Sequence, residues 1–159
     1  LAFDQAVKDL RGKRKDAYPV RMFLKKGFGH TGLPDRDQLA SILPAVRNPR
    51  PDSILWELTD SVVTRFAWLE SPEPAKKHLI EATKKGNRFE IKLTGVESLN
   101  LYLDERMIDY RKPVVVGVNG QAVVERILTP SLSVLCQTLQ ERGDPSFAFT
   151  SKISIPGVP

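Results

Sequence analysis

The 159 residues predict a mainly β chain with an α/β preface, and three observations lead there. From Pro51 onward apolar residues recur at every second position, the period of strands with one buried face. Turn residues interrupt that pattern at intervals of about 8 to 12 residues, the spacing of an antiparallel β-sandwich. Before residue 50 the apolar spacing is instead i, i+3, i+4, i+7, which is helical. The expected division is therefore an α/β segment of helix, strand and helix over residues 1–50, and over 51–159 a sandwich with one inserted helix. "RNPRP" at 47–51 is read as the hinge between them.

In the first segment Phe3, Ala6, Val7 and Leu10 line one helix face, and Gly12 suits the helix end. A strand follows over 19–25. Pro34 and Asp35 open a second helix with Leu39, Ile42, Leu43 and Val46 on one face, closed by Pro49. Two helices and one strand bury little without a larger sheet, so the segment reads as the C-terminal end of an α/β domain. Its apolar faces would then be covered by the sandwich or by a second copy of the chain, giving a homo-oligomer.

In the second segment, residues 55–58 and 66–69 form two short strands around a polar turn. Residues 79–84 and 89–93 flank "KKGN", read as a loose hairpin connection. Leu99, Leu101 and Leu103 alternate with Asn100, Tyr102 and Asp104, which predicts a half-buried strand. Residues 114–118 and 122–128 meet at Asn119 and Gly120, the strongest short signal for a type I′ hairpin. The inserted helix starts at Thr129 and Pro130, turns Leu132, Leu135, Cys136 and Leu139 inward, and stops at Gly143. The last strand covers 147–155. About eight strands in this arrangement make the sandwich immunoglobulin-like.

Composition narrows the function classes. Hydrophobic residues make up 41% and charged residues 27%, a globular balance. No apolar run approaches the roughly 20 residues that span a bilayer, and the basic amphipathic start lacks a signal peptide's apolar centre, so no membrane partner is expected. The net charge of +5 lies in the first 30 residues, which hold eight Lys or Arg against three Asp. Its focus, "RGKRK" at 11–15, has no interleaved aromatics and is read as a solvated loop after the helix, not as a nucleic-acid site. Cys136 is the single cysteine and is read as a buried thiol, so no internal disulfide forms.

"KKGFGHTG" at 25–32 sets His30 among three glycines at the end of a strand. An imidazole near its ordinary pKa can take a proton from a serine hydroxyl and return it to a leaving group. A helix, a strand, then "GFGHTG" and a further helix resembles the catalytic-histidine loop of α/β-hydrolases, where the histidine comes last of the triad in chain order. The continuation "RNPRPDSILWELTD", "NRFEIKLTGVESLNLYLDERMIDYRKPVVVGVNG" and "ERGDPSFAF" is similar to the C-terminal region of bacterial hydrolases of the dienelactone hydrolase and prolyl oligopeptidase type. In those proteins a β-sandwich follows the hydrolase domain. The resemblance implies that His30 is the general base, that the nucleophile and acid belong to a parent chain, and that the partner of this segment is the rest of that hydrolase domain. No G-x-S-x-G occurs in the 159 residues, so the fragment is expected to be inactive by itself.

The other candidates read as structural. His78 has no second histidine or cysteine at ligand spacing, so neither zinc nor any other metal or cofactor is expected. Asp104, Glu105 and Asp109 lack the alternation of a calcium loop and are read as a solvated turn. Trp56, Phe66 and Trp68 would stack on a sugar or peptide if exposed together, but their apolar neighbours assign them to the core. "GVNG" at 117–120 is a hairpin turn, since no helix follows it as a phosphate loop requires. Against the hydrolase fragment stands a second reading, a non-catalytic sandwich that binds polysaccharide, peptide or a neighbouring domain.

Overall fold

A computed structural model describes residues 2–13, 23, 25–28, 32 and 34–156. The chain divides into two compact units, Leu1–Val46 and Arg47–Pro159, and each is described by itself.

In the first unit, α1 (Ala2–Lys13) carries a 2.8 Å ion pair between Asp4 and Lys8, one turn apart on the helix surface. The basic run at 11–15 is thus helical over its first three residues, where a loop was expected. The strand expected over 19–25 falls largely outside the described residues. Only Phe23 and Lys25 of it are described, and neither is in a strand. The second helix is shorter than its apolar spacing predicts. A 3-10 turn at Asp35–Gln38 leads into the single turn α2 (Leu39–Ile42), with Leu39, Ile42, Leu43 and Val46 all exposed. Pro44 explains the stop, because it has no N–H to extend the ladder.

The second unit is mainly β. Its strands are β1 (Ser53–Glu57), β2 (Arg65–Phe66), β3 (Leu69–Glu70), β4 (Leu79–Lys85), β5 (Arg88–Thr94), β6 (Leu99–Leu103), β7 (Val114–Val118), β8 (Gln121–Arg126) and, after the helix α3 (Leu132–Arg142), β9 (Ser151–Ile155). They form a five-stranded sheet in the order β1-β4-β5-β7-β8 and a four-stranded sheet in the order β2-β3-β6-β9. Every pairing is antiparallel except β5 with β7, which is parallel. Ile54, Ile80, Phe89, Ile91 and Val116 from the first sheet and Leu69, Leu101, Leu103 and Ile153 from the second join in one buried apolar cluster. Trp68 is completely buried, its ring edge-on to Phe89 at 5.5 Å and its Nε1–H donating to the Pro51 carbonyl.

Two hairpins set the registers of the first sheet. Asn119 and Gly120 have φ of 50° and 84°, so the type I′ turn forms as the sequence predicts. Asn119 also accepts a hydrogen bond from Leu93 N–H through Oδ1 and donates its own N–H to Ile91, tying the hairpin tip to β5. The "KKGN" connection is tighter than expected. Lys85 pairs with Arg88, leaving a two-residue loop with Gly86 at φ 55°. Asn87 then donates to the carbonyls of Asp109 and Lys112 and accepts from Asp109 N–H, fixing the loop before β7.

Three further expectations are corrected. In place of one strand over 66–69 there are two strands of two residues each, Arg65–Phe66 and Leu69–Glu70, separated by a turn in which Ala67 has φ 51°. Strand β6 is buried on both faces, because Asn100 and Tyr102 lie under a polar network on the side away from the core. Helix α3 is capped by Ser131, which accepts from Val134 N–H, and turns Thr138 inward, not the leucine stripe. Thr138 Oγ1 accepts from Phe149 N–H at 3.0 Å and donates to a carbonyl one turn back, so a polar contact fixes the helix rotation. Leu132 and Cys136 are therefore exposed, and the thiol is not buried.

A Cβ at either Gly86 or Gly120 would meet nothing within 4 Å, so the penalty for a side chain there is one of backbone conformation alone. Gly86→Val and Gly120→Val should each lower stability by about 1 to 3 kcal/mol, the scale for a residue held in a sparsely populated region. Urea unfolding measures both. An unchanged midpoint for Gly120→Val would mean that this hairpin does not form.

Candidate functional site

Antiparallel alternation sorts the side chains of the four-stranded sheet onto two faces. Leu69, Leu101, Leu103 and Ile153 enter the core, while Glu70, Asn100, Tyr102 and Lys152 project from the other side. The registers Glu70↔Asn100 and Tyr102↔Lys152 bring these four together. Glu70 is their centre. Its Oε2 accepts from Tyr102 Oη–H at 2.7 Å and from Asn100 Nδ2–H at 2.8 Å, and its Oε1 accepts from Arg65 at 2.6 and 2.8 Å. Arg65 reaches on to Glu141 of α3 at 2.7 Å, and Lys152 stands 3.8 Å from Glu70.

Burial opposes ionisation of Glu70, but hydrogen bonds from Tyr102, Asn100 and Arg65 outweigh it and hold the carboxyl below its ordinary value. Burial, reinforced by the bond to Glu70, pushes the Tyr102 hydroxyl well above the usual phenol range. Burial also lowers Arg142, helped by the nearby positive charge of Arg65. A carboxylate with its lone pairs engaged and a phenol that cannot ionise near neutrality make a lock, not an acid–base pair.

A second cluster lies where the chain enters the unit. Asp104 has no exposed surface, and Arg50 pairs with its Oδ2 at 2.6 Å while Arg106 does so at 2.7 Å. Both arginines also donate to the Ala148 carbonyl, and the Arg50 guanidinium lies 5.0 Å from the centre of the Phe149 ring. Residues 47–51 are thus bound along the second unit, and Asp52 is held by Lys84 at 2.5 Å. The expected hinge is not free over these residues. Desolvation opposes the Asp104 charge, yet hydrogen bonds from Arg50 and Arg106 prevail and keep its carboxyl below the ordinary value.

The solvated acidic turn expected here is corrected at Asp104, while Glu105 is exposed as expected. Asp104 points inward to its arginines, while the Arg111 side chain beside Asp109 lowers that carboxyl to about 2. The two carboxylates do not converge as calcium ligands would. Among the described residues no group of three or more His, Cys, Asp or Glu side chains is placed to hold a metal ion, and no helix is long and apolar enough to cross a membrane. His78 is half-buried beside Gly95, and its Nδ1 has no hydrogen-bond partner. Trp56 and Trp68 are buried as the sequence implies, whereas Phe66 is half-exposed at 6.0 Å from Trp56. His30 lies outside the described residues. Its loop is represented by Gly27 and Gly32, both with positive φ, and by an exposed Phe28.

An open cleft of about 300 Å³ runs between the end of β8, the start of β9 and the first turn of α3. Its lining includes Arg126, Thr129, Ser131, Ser151 and Lys152. The alternation at 99–104 was the signal for the Glu70 network. The cleft had none, because its residues are far apart in the chain. Comparison with protein families, curated proteins and solved structures returned no match to this chain.

Acidification should expose both locks. Asp104 and Glu70 have folded pKa values below their unfolded ones, so their stabilisation is complete above the unfolded carboxylate range near about 4 and is lost as pH falls through the folded values. Thermal midpoints should be flat from neutrality to about pH 5 and fall below about pH 4. Asp104→Asn should destabilise the unit by about 3 kcal/mol at neutral pH, since it leaves Arg50 buried without its counter-charge. It should also flatten the acid limb. A variant that keeps the parent's midpoint and its full acid limb would show that Asp104 is not paired in solution.

Proposed function

We propose that this chain is the C-terminal part of a serine-hydrolase-like protein, with His30 as the triad base and the second unit an immunoglobulin-like β-sandwich accessory to it. The carrying observation is the loop "GFGHTG", a histidine framed by glycines and followed, after a short helical segment, by a β unit with its own core. In that reading His30 takes the proton of a serine hydroxyl supplied by the parent chain and delivers it to the leaving group during acyl transfer to water. The β unit has a supporting role. Its half-buried Glu70 and buried Asp104 are engaged by arginine, tyrosine and asparagine partners, which suits a structural role. The partner is the rest of the hydrolase domain. Exposed Phe3, Leu39, Ile42 and Leu43 favour either that domain or a second copy of the chain as their cover.

A second reading, a binding or structural module without catalysis, is favoured by one observation, the open cleft beside Arg126 and Lys152. The two readings differ upstream of Leu1. The hydrolase reading requires a coding region that supplies strands, a G-x-S-x-G elbow and an acid. The parent protein should then label with a fluorophosphonate, and His30→Ala should cut its turnover by about 10⁴-fold or more. The isolated chain should give no esterase or peptidase turnover above background. Turnover by the isolated chain that vanishes in His30→Ala would overturn this account, as would an upstream region lacking the elbow.

A further inference from the structure

The cleft beside α3 is lined without a single acidic residue. Arg126 closes β8 at one side and Lys152 is the second residue of β9 at the other, with Thr129, Ser131 and Ser151 also in the lining and Ile127, Leu128 and Val134 as apolar wall. These residues reach one place because the connection from β8 to α3 runs beside the start of β9. Ser131 N–H donates to the Thr150 carbonyl at 2.7 Å, and Ser151 Oγ donates to the Thr129 carbonyl at 3.2 Å. Tyr110 braces that junction, its hydroxyl 2.7 Å from Thr150 Oγ1 and 2.9 Å from Ser151 Oγ.

The groups differ in how far they are committed. Arg126 makes no ion pair among the described residues, in contrast to Arg50, Arg65, Arg106 and Arg111. Lys152 is held loosely, 3.8 Å from Glu70, whose charge Arg65 already takes at 2.6 Å, and 5.5 Å from the centre of the Tyr102 ring. Ser131 Oγ accepts from Val134 N–H, which leaves its own proton to donate. A planar guanidinium binds a carboxylate through two parallel hydrogen bonds, and an ammonium adds a second positive charge without imposing a geometry. Hydroxyls and a short apolar wall suit a ligand that carries its own hydroxyls on a carbon ring. The volume is at the small end of ligand sites, room for one sugar-sized ring and not for an extended chain.

From this we infer that the cleft between Arg126, Lys152 and the Thr129–Ser131 turn is a binding site for a hydroxylated carboxylate of monosaccharide size, the chemistry of a hexuronate. Arg126 takes the carboxylate, Lys152 supplies the second charge, and Thr129 and Ser131 meet the ring hydroxyls. The site is independent of His30 and stands whether or not the parent is a hydrolase.

Galacturonate titrated into the ¹⁵N-labelled 159-residue chain, to about 20 mM, tests it, since an open site of this size binds in the millimolar range. The expected result is saturable shifts of the amides of residues 126–129, 131 and 151–152. Galactose, which lacks the carboxylate, and acetate, which lacks the ring, should each bind at least about tenfold more weakly, a difference of about 1.4 kcal/mol. Arg126→Gln, an exposed substitution that leaves the core untouched, should weaken galacturonate by a similar factor while the rest of the spectrum stays in place. Absence of shifts at these residues would overturn the inference. So would equal binding of acetate or galactose, or galacturonate binding that Arg126→Gln leaves unchanged.

Discussion

The buried pairing of Asp104 with Arg50 and Arg106 is the constraint on which the rest of the β unit depends. An ionised carboxylate without exposed surface is tolerated only when opposite charge and hydrogen bonds replace water around it. Here the replacement comes from two directions. Arg50 arrives from the segment ahead of β1, and Arg106 from the turn that ends β6. Because both arginines also donate to the Ala148 carbonyl, one carboxylate joins three stretches separated by about fifty residues each way. The geometry excludes a one-residue slip of β6. Such a slip would move every side chain to the opposite face, carrying Asp104 away from Arg50 and Leu103 out of the core. Buried ion pairs add little net stability compared with apolar contacts, so what this one contributes is the choice among arrangements.

The Glu70 network applies the same logic to the outer face of β6. Leu101 and Leu103 would fill a core in many registers, but Asn100 and Tyr102 satisfy Glu70 in only one. Arg65 then extends the network to Glu141, and Thr138 holds α3 to the backbone of Phe149. Beside the half-buried Val134 and Leu135, the helix is positioned by hydroxyl and charge, which leaves Leu132 and Leu139 exposed. Apolar periodicity and inward orientation are separate properties in this helix.

That separation explains what was legible in the sequence. Patterns local to the chain read correctly: the period-two strands, the Asn119–Gly120 turn and the Gly143 stop of α3 each depend on a few adjacent residues. At Asp104 and Cys136 a distant group decides the outcome. Asp104 reads as a solvated turn residue unless Arg50 is known to reach it, and Cys136 reads as buried unless Thr138 is known to take the inner position. Pro44 was a local signal that the apolar spacing of Leu39 to Val46 overrode. Of the sites, the His30 loop is legible as a motif, whereas the cleft exists only once β8, β9 and α3 are brought together.

The sheet orders leave β1 and β8 at the edges of one sheet and β2 and β9 at the edges of the other. An exposed edge strand is a template for pairing with another chain, and three of the four edges here are blunted, each differently. Strand β2 is two residues long. The Thr129–Ser131 turn covers the start of β9 through the Ser131 and Ser151 hydrogen bonds. Strand β8 carries an irregularity opposite Val116 and Gly117, where Val123 is the extra residue, and it presents Gln121, Glu125 and Arg126 to solvent. A bulge twists the edge and disrupts the flat ladder that an added strand needs. The side chains rather than the backbone edges are therefore what these strands offer to solvent, and at the end of β8 and the start of β9 Arg126, Thr129, Ser131, Ser151 and Lys152 line one cleft.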